Sequence, residues 1–184
     1  DVLQPTAGRI DPVGTRHELR QMSIGLRMQA TPLQMALASA AVGQGRFIAP
    51  RLLLSLDGDR ARDSQGDPVP VRLNRIRAGM KGVVDLGTAA GAFRGPALDP
   101  IRRGLYGKTG TAPTVALGPG GARIDVSTVW FTGYLEPGSL PGQQRRLAFA
   151  AFVSHSDATG GAHAAPVIAA LLRAWPRNAE QEGK

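Results

Sequence analysis

The chain has 184 residues, of which 42% are apolar, and a formal net charge of +8. A chain of this length forms one domain, or two small subdomains around a shared core. It contains no cysteine, which excludes disulfide scaffolds, thiol nucleophiles and cysteine-based zinc sites. No apolar run reaches the roughly 18 residues of a transmembrane helix, and the first residues lack the pattern of a signal peptide. We therefore expect any membrane anchor to lie outside this chain.

The positive charge comes almost entirely from arginine, and the lysines are Lys81, Lys108 and Lys184. A basic balance can indicate a nucleic acid, an anionic membrane face or an acidic substrate as partner. The arginines are scattered along the chain, and few aromatic residues lie between them. We therefore expect a solvated basic surface and no nucleic-acid partner, with binding of a nucleic acid or an envelope polymer as an alternative.

In chain order, the first twenty residues are polar and irregular, and they predict no element. Thr31 and Gln34 then form a capping box around a proline at the first helical position. Apolar residues follow at helical spacing and predict a helix to Val42. Gly43 and Gly45 are expected to end it.

Residues 48–56 predict a short strand, and the Asp-, Gly- and Pro-rich residues 57–70 predict a turn or excursion. The aspartates of that excursion lack the spacing of a calcium loop, so no metal is expected there. A second helix is predicted over residues 74–86, with Gly87 as its cap. A loop containing glycine and proline follows through Pro100.

Three strands are predicted next, over residues 105–111, 127–135 and 147–153. Their short connections favour an antiparallel meander. A last helix begins near Gly161 and is expected to stop at Pro176. The order of helices and strands predicts an α+β fold, with an antiparallel sheet packed against helices.

One segment carries a specific chemical signal, Gly107-Lys108-Thr109-Gly110-Thr111 on the first of these strands. Lys108 places a positive charge at a cleft, and the hydroxyls of Thr109 and Thr111 point to one side because strand residues alternate. Gly110 has no side chain, so another backbone can approach closely. Such a strand can pair with an extended peptide and hold a carboxylate. An ordinary strand with a glycine bulge remains the alternative.

Other nucleophile and metal patterns are weak. No Gly-x-Ser-x-Gly elbow occurs in the chain. Ser154-His155-Ser156-Asp157 holds all the residue types of a catalytic triad, but adjacent residues on one strand end cannot face each other as a triad requires. His155 and His163 have no third ligand suggested by spacing. We expect a polar strand end here, and no metal or cofactor.

The Lys108-Thr109-Gly110 segment resembles the third motif of the penicillin-binding proteins and serine β-lactamases. Other stretches resemble a penicillin-binding transpeptidase domain in the same chain order, roughly over residues 20–176. These stretches are Ser23-Ile24-Gly25, Thr31-Pro32-Leu33-Gln34-Met35-Ala36, Ala49-Pro50-Arg51-Leu52, Gly79-Met80-Lys81-Gly82-Val83-Val84, Gly87-Thr88-Ala89, Trp130-Phe131-Thr132-Gly133-Tyr134 and Gly160-Gly161-Ala162-His163-Ala164-Ala165-Pro166.

The resemblance implies an enzyme that cross-links peptidoglycan stem peptides outside the cytoplasmic membrane, without a cofactor. A serine attacks the D-Ala-D-Ala bond, forms an acyl-enzyme and passes the acyl group to an amine, and β-lactams acylate the same serine. Lys108 would supply positive charge and join the proton relay, and the Thr109 and Thr111 hydroxyls would hold the substrate carboxylate. The Thr111 backbone N–H would donate to the oxyanion, and Gly110 would let the substrate lie along the strand.

Two motifs of the family are missing. The residues three positions before the lysines are Ala78, Leu105 and Gln181, so the chain has no Ser-x-x-Lys motif. Neither of its asparagines follows a serine by two positions, so Ser-x-Asn is absent as well. We therefore expect residues 1–176 to be the C-terminal portion of a transpeptidase domain, followed by a disordered tail over residues 177–184. Its partner would be the N-terminal portion, which carries the nucleophile.

The family sheet has five strands, two of which would come from that N-terminal portion. The strand over residues 147–153 would then be an apolar, unpaired edge, and we expect marginal stability, self-association or a need for the other portion. Residues 112–126 are expected to form a loop that shapes access to the cleft, or a plain connector. The resemblance implies a location in the periplasm or on the outer face of the inner membrane, and a non-catalytic binding or scaffolding module of the envelope is the alternative.

Overall fold

The computed structural model describes residues 7–50, 55–56, 59–60 and 66–179. Within them the fold is α+β, as predicted. The helices are α1 (Arg16–Ser23), α2 (Pro32–Gln44), α3 (Asn74–Asp85), α4 (Asp99–Arg102) and α5 (Ala164–Ala179), with single 3₁₀ turns at Ala90–Phe93 and Pro119–Gly121. The strands are β1 (Arg9–Ile10), β2 (Met28–Gln29), β3 (Ser55–Leu56), β4 (Asp59–Arg60), β5 (Leu105–Leu117), β6 (Arg123–Leu135) and β7 (Leu147–Ser156).

The main sheet has three strands in the order β5-β6-β7, and both pairings are antiparallel. The predicted meander is therefore confirmed. In the described part of the chain, β5 and β7 each have a strand neighbour on one side only. The strands β1 and β2 form a separate two-residue ribbon, as do β3 and β4.

Helices cover both faces of this sheet. Phe131 of β6 lies in the main core, which contains residues of α5, whereas its neighbour Thr132 contacts Ser39 of α2 through a hydrogen bond. Because successive strand residues face opposite sides, α5 and α2 lie on opposite faces. The core on the α5 side also contains the buried side chains Val84, Phe93, Leu98, Leu105, Val129 and Leu135.

Helix α2 begins at the predicted capping box. The Thr31 hydroxyl accepts a hydrogen bond from the Gln34 backbone N–H at 3.2 Å, and the Gln34 side chain accepts one from the Thr31 N–H at 2.8 Å. Gly43 and Gly45 were expected to end this helix. Gly45 does so, as a left-handed cap with a φ of 77°, whereas Gly43 lies inside the helix. A Cβ at Gly43 would lie 3.0 Å from the Tyr134 ring, so this glycine permits close packing inside the helix.

The first twenty residues are not irregular, because they contain α1. Its capping residue Thr15 accepts from the Glu18 N–H at 3.2 Å, and the Glu18 carboxylate accepts from the Thr15 N–H at 2.9 Å. No residue of this helix is buried, and its apolar residues are Leu19 and Met22 alone, so it lacks the broad apolar stripe that identifies a core helix. The Thr-x-x-Glu capping box was the available signal.

The region between α2 and β5 was predicted in part. Residues 48–50 are not in a strand, residues 51–54 lie outside the described part of the chain, and Ser55–Leu56 is a strand of two residues. Helix α3 ends at Asp85, one residue before the predicted end. The expected loop through Pro100 contains the Ala90–Phe93 turn and the start of the short α4. Both elements are too short for periodicity to identify.

The predicted loop over residues 112–126 is instead a β-hairpin. Strands β5 and β6 pair continuously from Leu105↔Leu135 to Leu117↔Arg123. The turn is confined to residues 118–122, where Gly120 and Gly121 have positive φ values of 72° and 78°. Pro113 and the glycines of this segment are typical of a loop, which is why a loop was predicted. Proline is nevertheless tolerated in an edge strand such as β5.

The last helix, α5, differs from the prediction at both ends. It begins at Ala164 rather than near Gly161, and its backbone continues past Pro176 to Ala179. A proline removes one backbone hydrogen bond and disturbs the helix locally, but here it does not end it. The expected tail over residues 177–184 overlaps this last turn, and residues 180–184 lie outside the described residues. Among the helices described, none is long and apolar enough to cross a membrane.

Candidate functional site

The motif predicted to carry chemistry lies along the free edge of β5. Lys108, Thr109, Gly110 and Thr111 pair with residues 132, 131, 130 and 129 of β6, with no shift in register. The alternative of a glycine bulge is therefore wrong. Lys108 and Thr111 are exposed, and Thr109 and Gly110 are half-buried, so the whole motif is accessible from solvent.

A cleft of about 330 Å³ runs beside this edge. One wall is formed by residues 108–112 of β5, and Trp130 and Thr132 of β6 also line it. The opposite wall comes from the end of α1, the segment between α1 and α2 and the first turn of α2. It is largely apolar: Met22, Ile24, Leu26, Met28 and Met35. One wall of the cleft thus carries the Lys108 cation and three threonines, and the other carries aliphatic and thioether groups.

The cation of the motif is available to an anion. The Lys108 ammonium donates a hydrogen bond to the backbone carbonyl of Thr109. Within the described residues, no ion pair involves Lys108. An ammonium group that lacks an ion-pair partner can bind a carboxylate in the cleft. Lys108 is therefore the group of this site that would attract an anion.

The lysine and the threonines leave the strand on opposite faces. Lys108 is opposite Thr132 and lies on the α2 face, whereas Thr109 is opposite the core residue Phe131 and lies on the α5 face. Thr111 shares the face of Thr109 because strand residues alternate. An anion that contacts all three must therefore lie at the edge of β5, where the long Lys108 side chain folds back toward the Thr109 carbonyl.

The Thr109 hydroxyl has a partner outside the motif. It lies 2.6 Å from the hydroxyl of Thr88, which follows α3 in the chain. The motif search did not single out Thr88, because a contact between residues 21 positions apart has no signature in local spacing. The Gly87-Thr88-Ala89 resemblance marked this segment without assigning it a role.

Glycines bring the backbone of the loop before α5 against the motif. A Cβ at Gly160 would lie 2.6 Å from the Gly110 carbonyl oxygen and 2.4 Å from that of Trp130. A Cβ at Gly161 would lie 1.8 Å from the Thr88 carbonyl oxygen. Real Cβ atoms do not approach so closely, so these two glycines allow the loop to contact both β5 and the Thr88 corner.

A buried polar pair fixes the sheet behind Lys108. The Ser39 and Thr132 hydroxyls are 2.7 Å apart, and both side chains are buried. The Thr132 hydroxyl also lies 3.1 Å from the Met35 carbonyl oxygen and 3.0 Å from that of Phe149. Either hydroxyl can donate in the Ser39–Thr132 bond, and these contacts tie α2 to β6 and β7. The sequence feature that could have indicated this buried hydrogen bond was the threonine within the apolar run of β6.

The polar strand end at residues 154–157 does not form a triad. Instead, the Ser156 hydroxyl lies 2.8 Å from Nδ1 of His163 and accepts from the Ala158 N–H at 3.1 Å. Ser156 is buried, so the pair closes the turn before α5 and does not present a nucleophile. In the described part of the chain, no group of three His, Asp or Glu side chains is placed to hold a metal ion.

Ser23 is the serine that lines the cleft. Its hydroxyl donates to the Arg20 carbonyl at 2.7 Å, within the last turn of α1. The residue three positions later is Leu26, not the lysine of a Ser-x-x-Lys motif. Ser23 therefore lacks the base that would activate it as a nucleophile.

A cluster around Tyr134 supports the α2 face of the sheet. The Tyr134 ring stacks on Tyr106 at a centroid distance of 4.7 Å, and the Arg146 guanidinium lies 5.7 Å from its centroid. Arg146 also donates to the Glu136 carboxylate at 2.6 Å. Burial of the phenol raises the pKa of Tyr134 to about 12, because the charged phenolate loses its hydration.

The sequence of this chain matches the profile of a known protein family. The profile of the penicillin binding protein transpeptidase domain matches residues 7–173, a span that contains the cleft, β5 and most of α5. No curated protein matches the chain. Since the matched span covers most of the 184 residues, the chain belongs to the penicillin-binding protein transpeptidase domain family.

Proposed function

We propose that this chain supplies the strand that binds the substrate carboxylate and the oxyanion in a serine D,D-transpeptidase. Membership in the family supports a penicillin-binding, transpeptidase-type function. The observation that carries the finer assignment is the position of residues 108–111 on the free edge of β5, beside a cleft of about 330 Å³. An extended peptide can pair with such an edge through its backbone.

In this proposal each motif residue has one role. The Lys108 ammonium attracts the substrate carboxylate and joins the proton relay, and the Thr109 and Thr111 hydroxyls donate hydrogen bonds to that carboxylate. The Thr111 backbone N–H stabilises the oxyanion that forms on the attacked carbonyl. Gly110 leaves room for the substrate backbone along the strand.

The reaction itself needs a serine that this chain does not provide. A serine hydroxyl attacks the carbonyl carbon of the penultimate D-alanine, the bond to the terminal D-alanine nitrogen breaks, and an ester forms. The amine of a second stem peptide then attacks the ester and releases the serine. Because the chain has no Ser-x-x-Lys motif, we assign the nucleophile to an N-terminal portion of the transpeptidase domain outside this chain.

The open edge of β7 supports this need for a partner. Phe152 of that strand is 46% exposed, and in the described residues β7 pairs only with β6. An apolar strand with a free edge favours pairing with a further strand. We propose that strands of the N-terminal portion complete the sheet here, to give the five strands of the family.

A second candidate function is a non-catalytic module that binds peptidoglycan stem peptides or serves as a scaffold. The absence of both Ser-x-x-Lys and Ser-x-Asn from this sequence favours it. In either function we place the chain in the periplasm or on the outer face of the inner membrane, since transpeptidase domains of this family are extracytoplasmic. An anchor would then lie outside this chain.

Labelling with a fluorescent penicillin, followed by denaturing electrophoresis and intact-mass measurement, tests the proposal. We expect no covalent label on this 19.3 kDa chain, and label on the native polypeptide or complex that joins it to a Ser-x-x-Lys segment. Label on a residue of this chain would overturn the placement of the nucleophile. If the native polypeptide or complex takes no label, the non-catalytic module is the function.

A further inference from the structure

The contact between the Thr88 and Thr109 hydroxyls carries a consequence for substrate recognition. The two oxygens are 2.6 Å apart, a normal distance for an O–H···O hydrogen bond. Thr88 lies outside the Lys-Thr-Gly strand, and it is absent from the residues that line the cleft. It therefore contacts the motif from outside the cleft.

The backbone on either side of Thr88 is firmly held. The N–H groups of Leu86 and Gly87 both donate to the Gly82 carbonyl, at 3.0 and 2.8 Å, and the Ala89 N–H donates to the Val83 carbonyl at 3.1 Å. Ala89 is fully buried.

From the other side, the loop before α5 reaches the same corner, with Gly161 packed against the Thr88 carbonyl. The backbone that carries the Thr88 hydroxyl is thus held by α3, by the core and by this loop.

The number of protons decides the direction of the bond when an anion is present. Each hydroxyl has one proton to donate, and a carboxylate can only accept. If Thr109 donates to Thr88, it has no proton for a carboxylate in the cleft. If Thr88 donates to Thr109, the Thr109 proton is free to point to the carboxylate, and its oxygen is polarised by the incoming bond.

We propose that Thr88 is a positioning residue for recognition of the substrate carboxylate. It donates to the Thr109 hydroxyl and so directs the Thr109 proton toward the carboxylate of a stem peptide or β-lactam. This inference rests on the proposed function, in which Thr109 binds that carboxylate. It assigns Thr88 no contact with the substrate.

The test uses the native polypeptide or complex that joins this chain to the Ser-x-x-Lys segment and is acylated there by penicillin. The second-order rate constant of acylation is measured for benzylpenicillin and for its methyl ester. The variants are Thr88→Val, which keeps the shape and removes the donor, and Thr88→Ser, which keeps the donor. Thr114→Val is the matched control, because Thr114 is an exposed threonine of β5, the strand of Thr109, and does not line the cleft.

For benzylpenicillin, we expect Thr88→Val to lower the acylation rate constant by about fivefold, the usual effect of losing one hydrogen bond between neutral groups, because the Thr109 hydroxyl then loses the bond that orients it. Thr88→Ser should restore it, and Thr114→Val should leave it unchanged. For the methyl ester, the difference between Thr88→Val and the parent should disappear, because no carboxylate is present. The thermal midpoint of each variant identifies any loss caused by unfolding.

Two results would overturn the inference while the proposed function stands: an unchanged rate constant in Thr88→Val, or an equal loss for the acid and the ester. If Thr88→Val does not fold, Thr88→Ala takes its place with the same expectation. If the parent is not acylated at all, the proposed function itself is overturned.

Discussion

The hydroxyl of Ser39 in α2 lies 2.7 Å from the hydroxyl of Thr132 in β6, in the buried layer between helix and sheet. Thr132 is also the cross-strand partner of Lys108. A buried hydrogen bond therefore anchors the strand directly behind the cation of the site. Low local dielectric strengthens such a bond and raises the cost of losing either partner.

Replacing Thr132 by valine should destabilise the chain by about 1–3 kcal/mol, because the Ser39 hydroxyl is left buried without this partner. Ser39→Ala should cost about 1 kcal/mol, since Thr132 keeps the Met35 and Phe149 carbonyls. Urea unfolding measures both. The control Thr114→Val changes an exposed threonine and should stay within about 0.5 kcal/mol of the parent; an equal effect of all three variants would contradict the buried pair.

Gly161→Ala should be strongly destabilising, because the added Cβ would lie 1.8 Å from the Thr88 carbonyl oxygen. We expect a loss of about 2 kcal/mol or more from displaced backbone. Gly79→Ala in α3 is the matched control, since no atom lies within 4 Å of its added Cβ. That change should stabilise the helix by about 0.5–1 kcal/mol. Thermal midpoints that move in the same direction for both variants would reject the packing argument.

Stability should fall at high pH because of Tyr134. Burial raises its pKa from 10.0 to about 12, so the folded state holds the phenolic proton over a pH range in which the unfolded state loses it. The stabilisation is complete below pH 10 and is lost as the pH rises toward 12. Unfolding free energies measured from pH 9 to 11.5 should decline, and the decline should be shallower in Tyr134→Phe. Absorbance titration of the phenolate checks the pKa directly.

The free edge of β7 should make the chain self-associate. Phe152→Lys places a charge on this edge strand and should raise the concentration at which oligomers appear in sedimentation velocity, since a charged edge opposes strand pairing. Val167→Lys is the control, because Val167 is about equally exposed, at 49% against 46%, but lies in α5 and not on a strand edge. Equal suppression by the two lysines would indicate general charge repulsion instead of edge pairing.

Thr109→Val and Thr111→Val should each weaken acylation by β-lactams in the native polypeptide or complex that carries the nucleophile. The loss should be about 1–3 kcal/mol of transition-state stabilisation for each hydroxyl. The acylation rate constant is the measurement, and Thr114→Val again serves as the control on the same strand. Rate constants that match the control would reject the carboxylate assignment.

The sequence predicted those parts of the fold that are determined by residues close together in the chain. The Thr31 and Gln34 capping box identified the start of α2 because its hydrogen bonds join residues three positions apart. The strands of the sheet followed from apolar runs and short turns. The candidate site was found through the Lys108 motif, whose residues are adjacent in the chain and need no fold to bring them together.

The remaining features depend on tertiary contacts. Gly43 was expected to end α2, yet it lies inside the helix because Tyr134 packs against it. The hairpin beyond Thr111 was expected to be a loop because the proline and glycines of this segment hid the pairing between its two halves. The Thr88 contact with Thr109 joins two elements that only the folded chain brings together.

Four glycines around the site lie where the surrounding structure leaves no room for a Cβ atom. A Cβ would lie 2.3 Å from the Phe131 ring at Gly107, 2.0 Å from the Tyr106 carbonyl at Gly133, and similarly close to backbone at Gly160 and Gly161. Any side chain at these positions would clash with its neighbours, so only glycine fits. A library randomised at these codons and selected for function should return glycine at all four, while the exposed positions of the hairpin should drift freely.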